Sequence, residues 1–175
     1  PLPEMPDFHY GQAMCLVDLP DEQFGKDLYV ITAHFRSGSG AENVRLREKH
    51  ADSIANRIQD LRSPGGQVDV RRGTPILVAG DFNIYDSNSD DPKRHLTTLI
   101  SGRIGAKGTN ESPDWDRTNL QELSPSINGA GEAFYTWRND TSPFPPGALD
   151  RVLFTDSVLH PKESFVLNAN DLPAS

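Results

Sequence analysis

An apolar run from Ile76 to Ala79 ends abruptly at Gly80 and is followed by Asp81 and Asn83, and it limits the possible folds more than any other segment. The length and branching of this run are typical of a buried strand. Ligands in α/β folds usually bind at the carboxyl ends of strands, where Asp81 and Asn83 would lie. Because side chains two residues apart in an extended chain share one side, this carboxylate and amide could together hold a hard cation, a water molecule or a phosphate oxygen. The alternative is an Asx turn, in which they bond their own backbone.

The residues before this run predict a β-α-β unit. Residues 28–35 are nearly continuous in β-branched and aromatic side chains, which favours a strand. Ser39 and Glu42 have the spacing of a capping box, which predicts the start of a helix, and the Ser-Pro-Gly-Gly run at 63–66 would end it. Between them, apolar residues recur at helical period, at Ala51, Ile54, Ala55, Ile58 and Leu61. This order of elements is typical of a layered α/β architecture.

The remaining segments predict further, shorter strands. Strand-like runs occur at 13–19, 134–137, 149–154 and 164–167. Residues 86–130 are instead rich in Asp, Ser, Asn, Gly and Pro, with one short apolar patch at 96–100. We therefore expect a single α/β domain over residues 1–175, in which the pattern weakens beyond Asn83.

The composition argues against several classes of protein. A general nucleic-acid coat needs a basic surface, and the formal net charge here is −8. A phosphate-directed enzyme stays open, because a bound divalent ion reverses the local charge. The sequence has no apolar stretch long enough to cross a membrane. Cys15 is the only cysteine, so a disulfide within the chain is impossible and the compartment is undecided.

Four segments, in this order, resemble the endonuclease/exonuclease/phosphatase superfamily: Thr-Ala-His-Phe-Arg-Ser at 32–37, Gly-Asp-Phe-Asn at 80–83, Phe-Tyr-Thr-Trp at 134–137 and Leu-Asp-Arg-Val-Leu at 149–153. That group includes pancreatic-type deoxyribonucleases, apurinic-site endonucleases, inositol-polyphosphate phosphatases and sphingomyelinases. The resemblance implies a two-layer β-sandwich flanked by helices, a four-layer αββα fold. It also implies a phosphoester substrate (a nucleic acid, an inositol phosphate or a phospholipid headgroup) and Mg²⁺ as cofactor, with Mn²⁺ or Ca²⁺ as alternatives.

The same resemblance assigns roles to four polar residues. Asp81 is similar to the aspartate that orients or activates the attacking water near the metal, and it would be an indirect or second-site metal ligand. Asn83 is similar to the amide that positions the phosphate and that aspartate. His34 resembles the histidine that contacts the phosphate oxygens as charge develops. Asp150 resembles the carboxylate that fixes and charges a catalytic histidine.

Two further residues are candidates for substrate binding. Arg36 directly follows the His34-Phe35 pair and would face a substrate phosphate, although a solvated loop arginine is an equal alternative. Trp137 would stack on a substrate or border it, although packing of the ring in the core is the more frequent role of such a tryptophan.

The resemblance covers only the later part of the family's domain, so the sandwich would lack its N-terminal strands and its final segment. The family's metal-binding Asn and Glu would precede the strand at Ala13, and its Ser-Asp-His segment would continue beyond Ser175. The chain begins at Pro1 without methionine, and we expect it to be a piece of a longer polypeptide. We therefore expect these 175 residues alone to be inactive or nearly so, and to self-associate through uncovered sheet edges.

Two other functions stay open. Asp86, Asn88 and Asp90 alternate like the opening of a calcium loop, but Asp91 stands where that loop needs glycine. The segment is therefore an acidic surface loop or part of a calcium-stabilised interaction domain. The other alternative is a non-catalytic module that keeps the phosphoesterase fold in order to bind a ligand or a partner.

Overall fold

The structure is a computed structural model that describes residues 11–84, 92–104, 111–127 and 135–167, with only the backbone of residues 92–94. The elements in chain order are β1 (Gln12–Val17), β2 (Leu28–His34), α1 (Ala41–Arg62), β3 (Ile76–Asp81), α2 (Pro92–Ser101), β4 (Gln121–Leu123), β5 (Ser126–Ile127), β6 (Asp150–Phe154) and β7 (Phe165–Val166). This mixed α/β architecture confirms the expected fold class. The strands expected at 13–19, 28–35, 149–154 and 164–167 are present with slightly different bounds.

The main sheet has the strand order β1-β2-β3-β6-β4. The central pair, β2 and β3, is parallel, and β1, β6 and β4 each pair antiparallel with their neighbours. A parallel pair needs a crossover connection, which α1 provides. The short strands β5 and β7 form a separate two-stranded parallel sheet. The carboxyl ends of β2 and β3 therefore meet at the same edge of the main sheet, as the sequence predicted.

One face of the main sheet carries the core. Alternate residues of the central strands (Tyr29, Ile31, Ile76, Val78 and Leu153) are fully buried and share one cluster with Ile54 and Ile58 of α1. Each such side chain stabilises the fold by about 1.5–3 kcal/mol when it is fully buried. Because side chains alternate along a strand, the residues between them face the opposite side of the sheet. His34 belongs to this second set and is exposed.

Two local predictions are wrong. The helix α1 begins after Gly40, which makes no side-chain cap hydrogen bond, so the capping box of Ser39 and Glu42 does not form. Instead the side-chain amide of Asn43 donates to the Ser39 carbonyl, at 2.9 Å, and Glu42 pairs with Arg45.

The strand expected at 134–137 is also absent from the described part of that segment, which starts at Tyr135. Trp137 forms only an isolated antiparallel bridge with Gly147. The amides of Thr136 and Trp137 both donate to the Gly147 carbonyl, at 3.1 Å and 3.0 Å, so no regular ladder develops. The prolines at 143, 145 and 146 lack the N–H groups that would extend one.

The edges and the surface of the fold bear on three of the expectations from the sequence. In the described ranges, β1 is an edge strand with Leu16 and Val17 exposed, and self-association through this edge stays a prediction. None of the helices described here combines the length and apolar character needed to cross a bilayer. The Asp86–Asp90 segment lies outside the described residues.

Candidate active site

Three of the predicted residues lie side by side across adjacent strands. In the strand pairing, His34 of β2 is opposite Asp81 of β3, and Asp81 is opposite Asp150 of β6. Residues that are directly opposite each other project from the same face of a sheet, with Cβ atoms about 5 Å apart. We refer to His34, Asp81 and Asp150 as the site row. The row lies on the face away from the core, at the carboxyl ends of β2 and β3.

The imidazole of His34 and the carboxylate of Asp81 contact each other. His34 Nε2 lies 3.6 Å from Asp81 Oδ2, which is an ion-pair distance when the imidazole is protonated and is longer than a good hydrogen bond. The side chains are 70% and 32% exposed. A pair this exposed contributes at most about 1 kcal/mol to stability. Both groups are therefore accessible to a ligand, and the fold does not depend on their contact.

Asp81 and Asn83 are held by a tight turn. The backbone N–H of Asn83 donates to Asp81 Oδ1 at 2.8 Å, which is the bond expected of an Asx turn. Asn83 has the left-handed φ of 49°, a conformation that asparagine tolerates better than most residues. Its side-chain amide donates to the Phe35 carbonyl at 3.0 Å. The Asx turn is thus present. It fixes Oδ1 of the Asp81 carboxylate and leaves Oδ2 on the side of His34, so the turn and a functional role are compatible.

Two buried phenylalanines support the strand ends beneath the row. The rings of Phe35 and Phe82 stack with centroids 5.0 Å apart, and both side chains are almost fully buried. The amide of Phe35 donates to the Asp81 carbonyl at 2.8 Å, and the amide of Phe82 donates to the Leu149 carbonyl at 2.9 Å. These bonds continue the β2–β3 and β3–β6 pairing past the strand ends. The polar residues that flank them are therefore carried on rigid backbone.

Asp150 is positioned by a residue that the sequence interpretation missed. Thr136 Oγ1 accepts hydrogen bonds from the backbone amides of Leu149 and Asp150, at 3.1 Å and 2.9 Å. The hydroxyl thus anchors the start of β6, from which the exposed Asp150 side chain projects. The available signal is the place of Thr136 inside the Phe-Tyr-Thr-Trp segment, which the sequence instead predicts to be a strand.

The two candidate substrate-binding residues flank the row on different sides. Arg36 is exposed, lines a cavity of about 410 Å³ together with His34, Leu46 and His50, and donates from Nε to Asn43 Oδ1 at 3.2 Å. Trp137 follows Thr136 and is half-buried, and its indole suits packing as well as substrate contact. The structure therefore places Arg36 beside His34, whereas it links Trp137 to the row through Thr136.

The donors of the row have the chemistry that a hard cation requires. Mg²⁺ takes oxygen ligands and usually keeps several waters, so one or two carboxylates are enough to recruit it. Asp81 and Asp150 supply carboxylate oxygens from neighbouring strands. Across the described ranges, no group of three or more His, Cys, Asp or Glu side chains is arranged to hold a metal ion. The residues present thus fit part of a magnesium site.

The sequence matches a family model over almost its whole length. The model is described as "Endonuclease/Exonuclease/phosphatase family" and matches residues 7–171. No curated protein sequence matches the chain significantly.

Several solved structures resemble this one. A β-hairpin deletion mutant of beta toxin from Staphylococcus aureus has a TM-score of 0.58 at 14% identity, covering 94% of this chain and 50% of its own. A beta toxin variant with bound magnesium ions has a TM-score of 0.54 at 15% identity, with coverages of 87% and 44%. Sphingomyelinase C from Streptomyces griseocarneus has a TM-score of 0.53 at 15% identity, with coverages of 86% and 44%. The chain thus spans about half the length of these structures, and the likeness concerns the fold.

Proposed function

Since this chain belongs to the Endonuclease/Exonuclease/phosphatase family, we propose that the protein is a divalent-metal-dependent phosphoesterase that uses magnesium. The observation that carries the proposal is the site row, in which an imidazole and two carboxylates are in register on one exposed end of the sheet. Phosphoester hydrolysis requires neutralised phosphate oxygens, a water held in line and a place for a proton. A magnesium ion would act as a Lewis acid and neutralise the phosphate oxygens.

Asp81 and His34 of the row, together with Asn83 beside it, suit the remaining tasks. Asp81 orients or activates the attacking water, because its Oδ1 is fixed by the backbone N–H of Asn83 and its Oδ2 lies on the side of the exposed His34. Asn83 positions the phosphate together with that aspartate. His34 donates to the phosphate oxygens as their charge grows, and its exposure leaves it accessible to them.

Asp150 acts through another group in this proposal. Its carboxylate fixes the tautomer of a catalytic histidine and stabilises the charge that forms on it, as in an Asp-His couple. The two hydrogen bonds that Thr136 Oγ1 accepts from the backbone amides at the start of β6 would keep that carboxylate in place. Arg36 is proposed to contact a substrate phosphate from the His34 side, and Trp137 to border the substrate beyond Asp150.

The substrate is proposed only as a class, a phosphoester of nucleic acid, inositol phosphate or phospholipid headgroup. Members of one fold differ mainly in loops, and loops determine substrate choice. The net charge of −8 favours the smaller phosphoesters over tight binding of a duplex.

We also propose that the 175-residue polypeptide has little activity of its own. The resemblance implies further metal ligands and a catalytic histidine, and in the described ranges the row supplies only part of a magnesium site. Turnover of a generic phosphodiester by this polypeptide with magnesium, abolished in Asp81→Ala, would refute the proposal.

A substrate panel on the full-length gene product tests the enzymatic proposal. Plasmid DNA, abasic DNA, inositol phosphates and sphingomyelin are incubated with MgCl₂, with MnCl₂ or with EDTA, and the released products are quantified. We expect hydrolysis of at least one substrate class, its loss in EDTA and its recovery when excess magnesium is added. Turnover that persists in EDTA would contradict the metal requirement. Binding of a substrate without any turnover would favour the alternative, a non-catalytic module that retains the fold.

A further inference from the structure

A second cavity lies at the end of the sheet opposite to the site row. It has a volume of about 460 Å³ and is formed by the carboxyl end of α1 and the segments that contain Arg72 and Trp115. The Trp115 indole N–H donates to the Thr74 carbonyl, at 2.7 Å, just before β3 begins. Asp81 is at the other end of the same strand, and a strand of this length spans about 17 Å. The cavity is therefore separate from the proposed active site.

Three arginines give this cavity a positive lining on an otherwise acidic chain. Arg62, Arg72 and Arg117 all line it. Burial lowers the pKa of the Arg62 guanidinium, and the nearby positive charges of Arg117 and Arg72 act in the same direction. The carboxylates of Glu111 and Asp114 oppose that shift.

Two of the three arginine side chains make no hydrogen bond or ion pair with the described residues. Arg72 and Arg117 are exposed, and no hydrogen bond or ion pair joins either guanidinium to another of the described residues. Asp69 is the only acid among the lining residues, and its Oδ1 already accepts from the Gly65 amide at 3.1 Å. The buried Asp114 is likewise engaged, by the Trp115 amide and by Ser157. The guanidiniums of Arg72 and Arg117 are therefore available to an anionic ligand in the cavity.

The backbone holds two of these arginines in place. Arg62 donates from Nη1 to the Ser112 carbonyl, and its guanidinium lies over the Trp115 ring, 5.5 Å from the centroid. Arg117 has a φ of 73°, a left-handed conformation that arginine rarely adopts. The Arg117 amide donates to the Asp114 carbonyl at 3.1 Å, and the Asp114 amide donates to the Thr118 carbonyl at 3.2 Å. This closed turn fixes the backbone at Arg117, which lines the cavity.

The rest of the lining is apolar and includes Leu61, Pro64, Val70 and Trp115. Small-molecule sites have volumes of about 300–1,000 Å³ and combine such walls with a few convergent polar groups. Arginine forks match phosphate oxygens in a bidentate geometry. We propose that this cavity is a second, non-catalytic site that binds a small organic phosphate, with Arg72 and Arg117 on the phosphate and the apolar wall against its organic part. This inference does not depend on the proposed activity.

Calorimetric titration of the full-length protein tests this inference, with adenosine 5′-monophosphate as the probe and EDTA present. We expect the monophosphate to bind at least about tenfold more tightly than adenosine or inorganic phosphate. Adenosine lacks the phosphate that the arginines would bind, and inorganic phosphate lacks the organic part that would contact the apolar wall. The Arg72→Gln/Arg117→Gln double variant should weaken this binding at least tenfold. Both side chains are exposed, so the variant should keep the melting temperature of the native protein.

Arg71→Gln provides a single-charge control, because it removes one positive charge at the residue next to Arg72. The Arg71 guanidinium donates to the Gly25 carbonyl and does not line the cavity, so affinity should change less than twofold. His34→Gln, at the other end of the sheet, should also leave binding unchanged. Undetectable monophosphate binding, equal affinity for inorganic phosphate, or equal affinity in the double variant would overturn the proposal. Loss of binding in Arg71→Gln or in His34→Gln would overturn it as well.

Discussion

Asp81→Asn in the full-length protein is expected to lower kcat/KM by about 10³-fold on whichever phosphoester is turned over, the middle of the range for loss of a general base. The substitution removes the negative charge that would activate the water and attract the metal. Asparagine keeps an oxygen that can accept from the Asn83 amide, so the turn observed at 2.8 Å is retained. The loss should therefore fall on the chemical step, and we expect steady-state kinetics to show it mainly in kcat.

Unfolding measurements separate this chemical effect from a structural one. Asp81→Asn should change the free energy of unfolding by less than about 1 kcal/mol, because it disrupts only the exposed pair with His34. Asp140→Asn offers a matched control, since it also disrupts a surface ion pair, with Arg138, that includes no residue of the row. It should leave kcat/KM within about twofold of the native value. If Asp81→Asn retains native turnover, Asp81 is not the catalytic carboxylate.

Gly80→Ala is expected to destabilise the fold by about 3 kcal/mol or more, through a backbone clash together with a strained conformation. Gly80 has a φ of 148°, and an added Cβ would lie 1.9 Å from the Ala33 carbonyl oxygen of the paired strand. The atom it meets belongs to the backbone of β2, so relief requires the two central strands to separate. Separation of β2 and β3 would also move Asp81 away from His34. Urea unfolding measures the change in stability. Activity at urea concentrations below the unfolding transition measures the effect of moving Asp81 away from His34.

Gly25→Ala is the natural control for this experiment. A Cβ at Gly25 would have no atom within 4 Å, so its unfolding free energy should change by no more than about 0.5 kcal/mol. Equal stability of the two variants would show that the close approach of β2 and β3 at Gly80 does not exist in solution.

The central β-α-β unit was predictable because its signals are local. The β-branched and aromatic run at 28–35, the helical stripe around Ile54 and the apolar run at Ile76 each predict one element, and the structure confirms all three. The start of α1 was harder to predict, because the cap depends on how the loop before it leaves β2. The elements α2 and β4 were also hard to predict, because they lie in a polar region of the sequence with one short apolar patch, at 96–100.

The site residues were predictable as candidates, but their arrangement was not. Each polar residue stood at the end or the start of a strand in the sequence. The register that aligns Asp81 with Asp150 depends on pairing between β3 and β6, which are far apart in the chain, and no sequence pattern specifies that pairing. Thr136 was missed for a similar reason, since its hydroxyl meets β6 only after the chain has turned at Gly147. The arginines of the second cavity also come from separate segments.

A double-mutant cycle on kcat/KM, with His34→Gln and Asp150→Asn singly and together in the full-length protein, tests most directly whether the row acts as one site. Groups that act as a unit in catalysis are strongly non-additive. We predict that each single variant loses about 10²-fold or more, and that the double variant loses within about threefold of the worse single variant. Losses that multiply in the double variant, or a single variant with native turnover, would contradict the account.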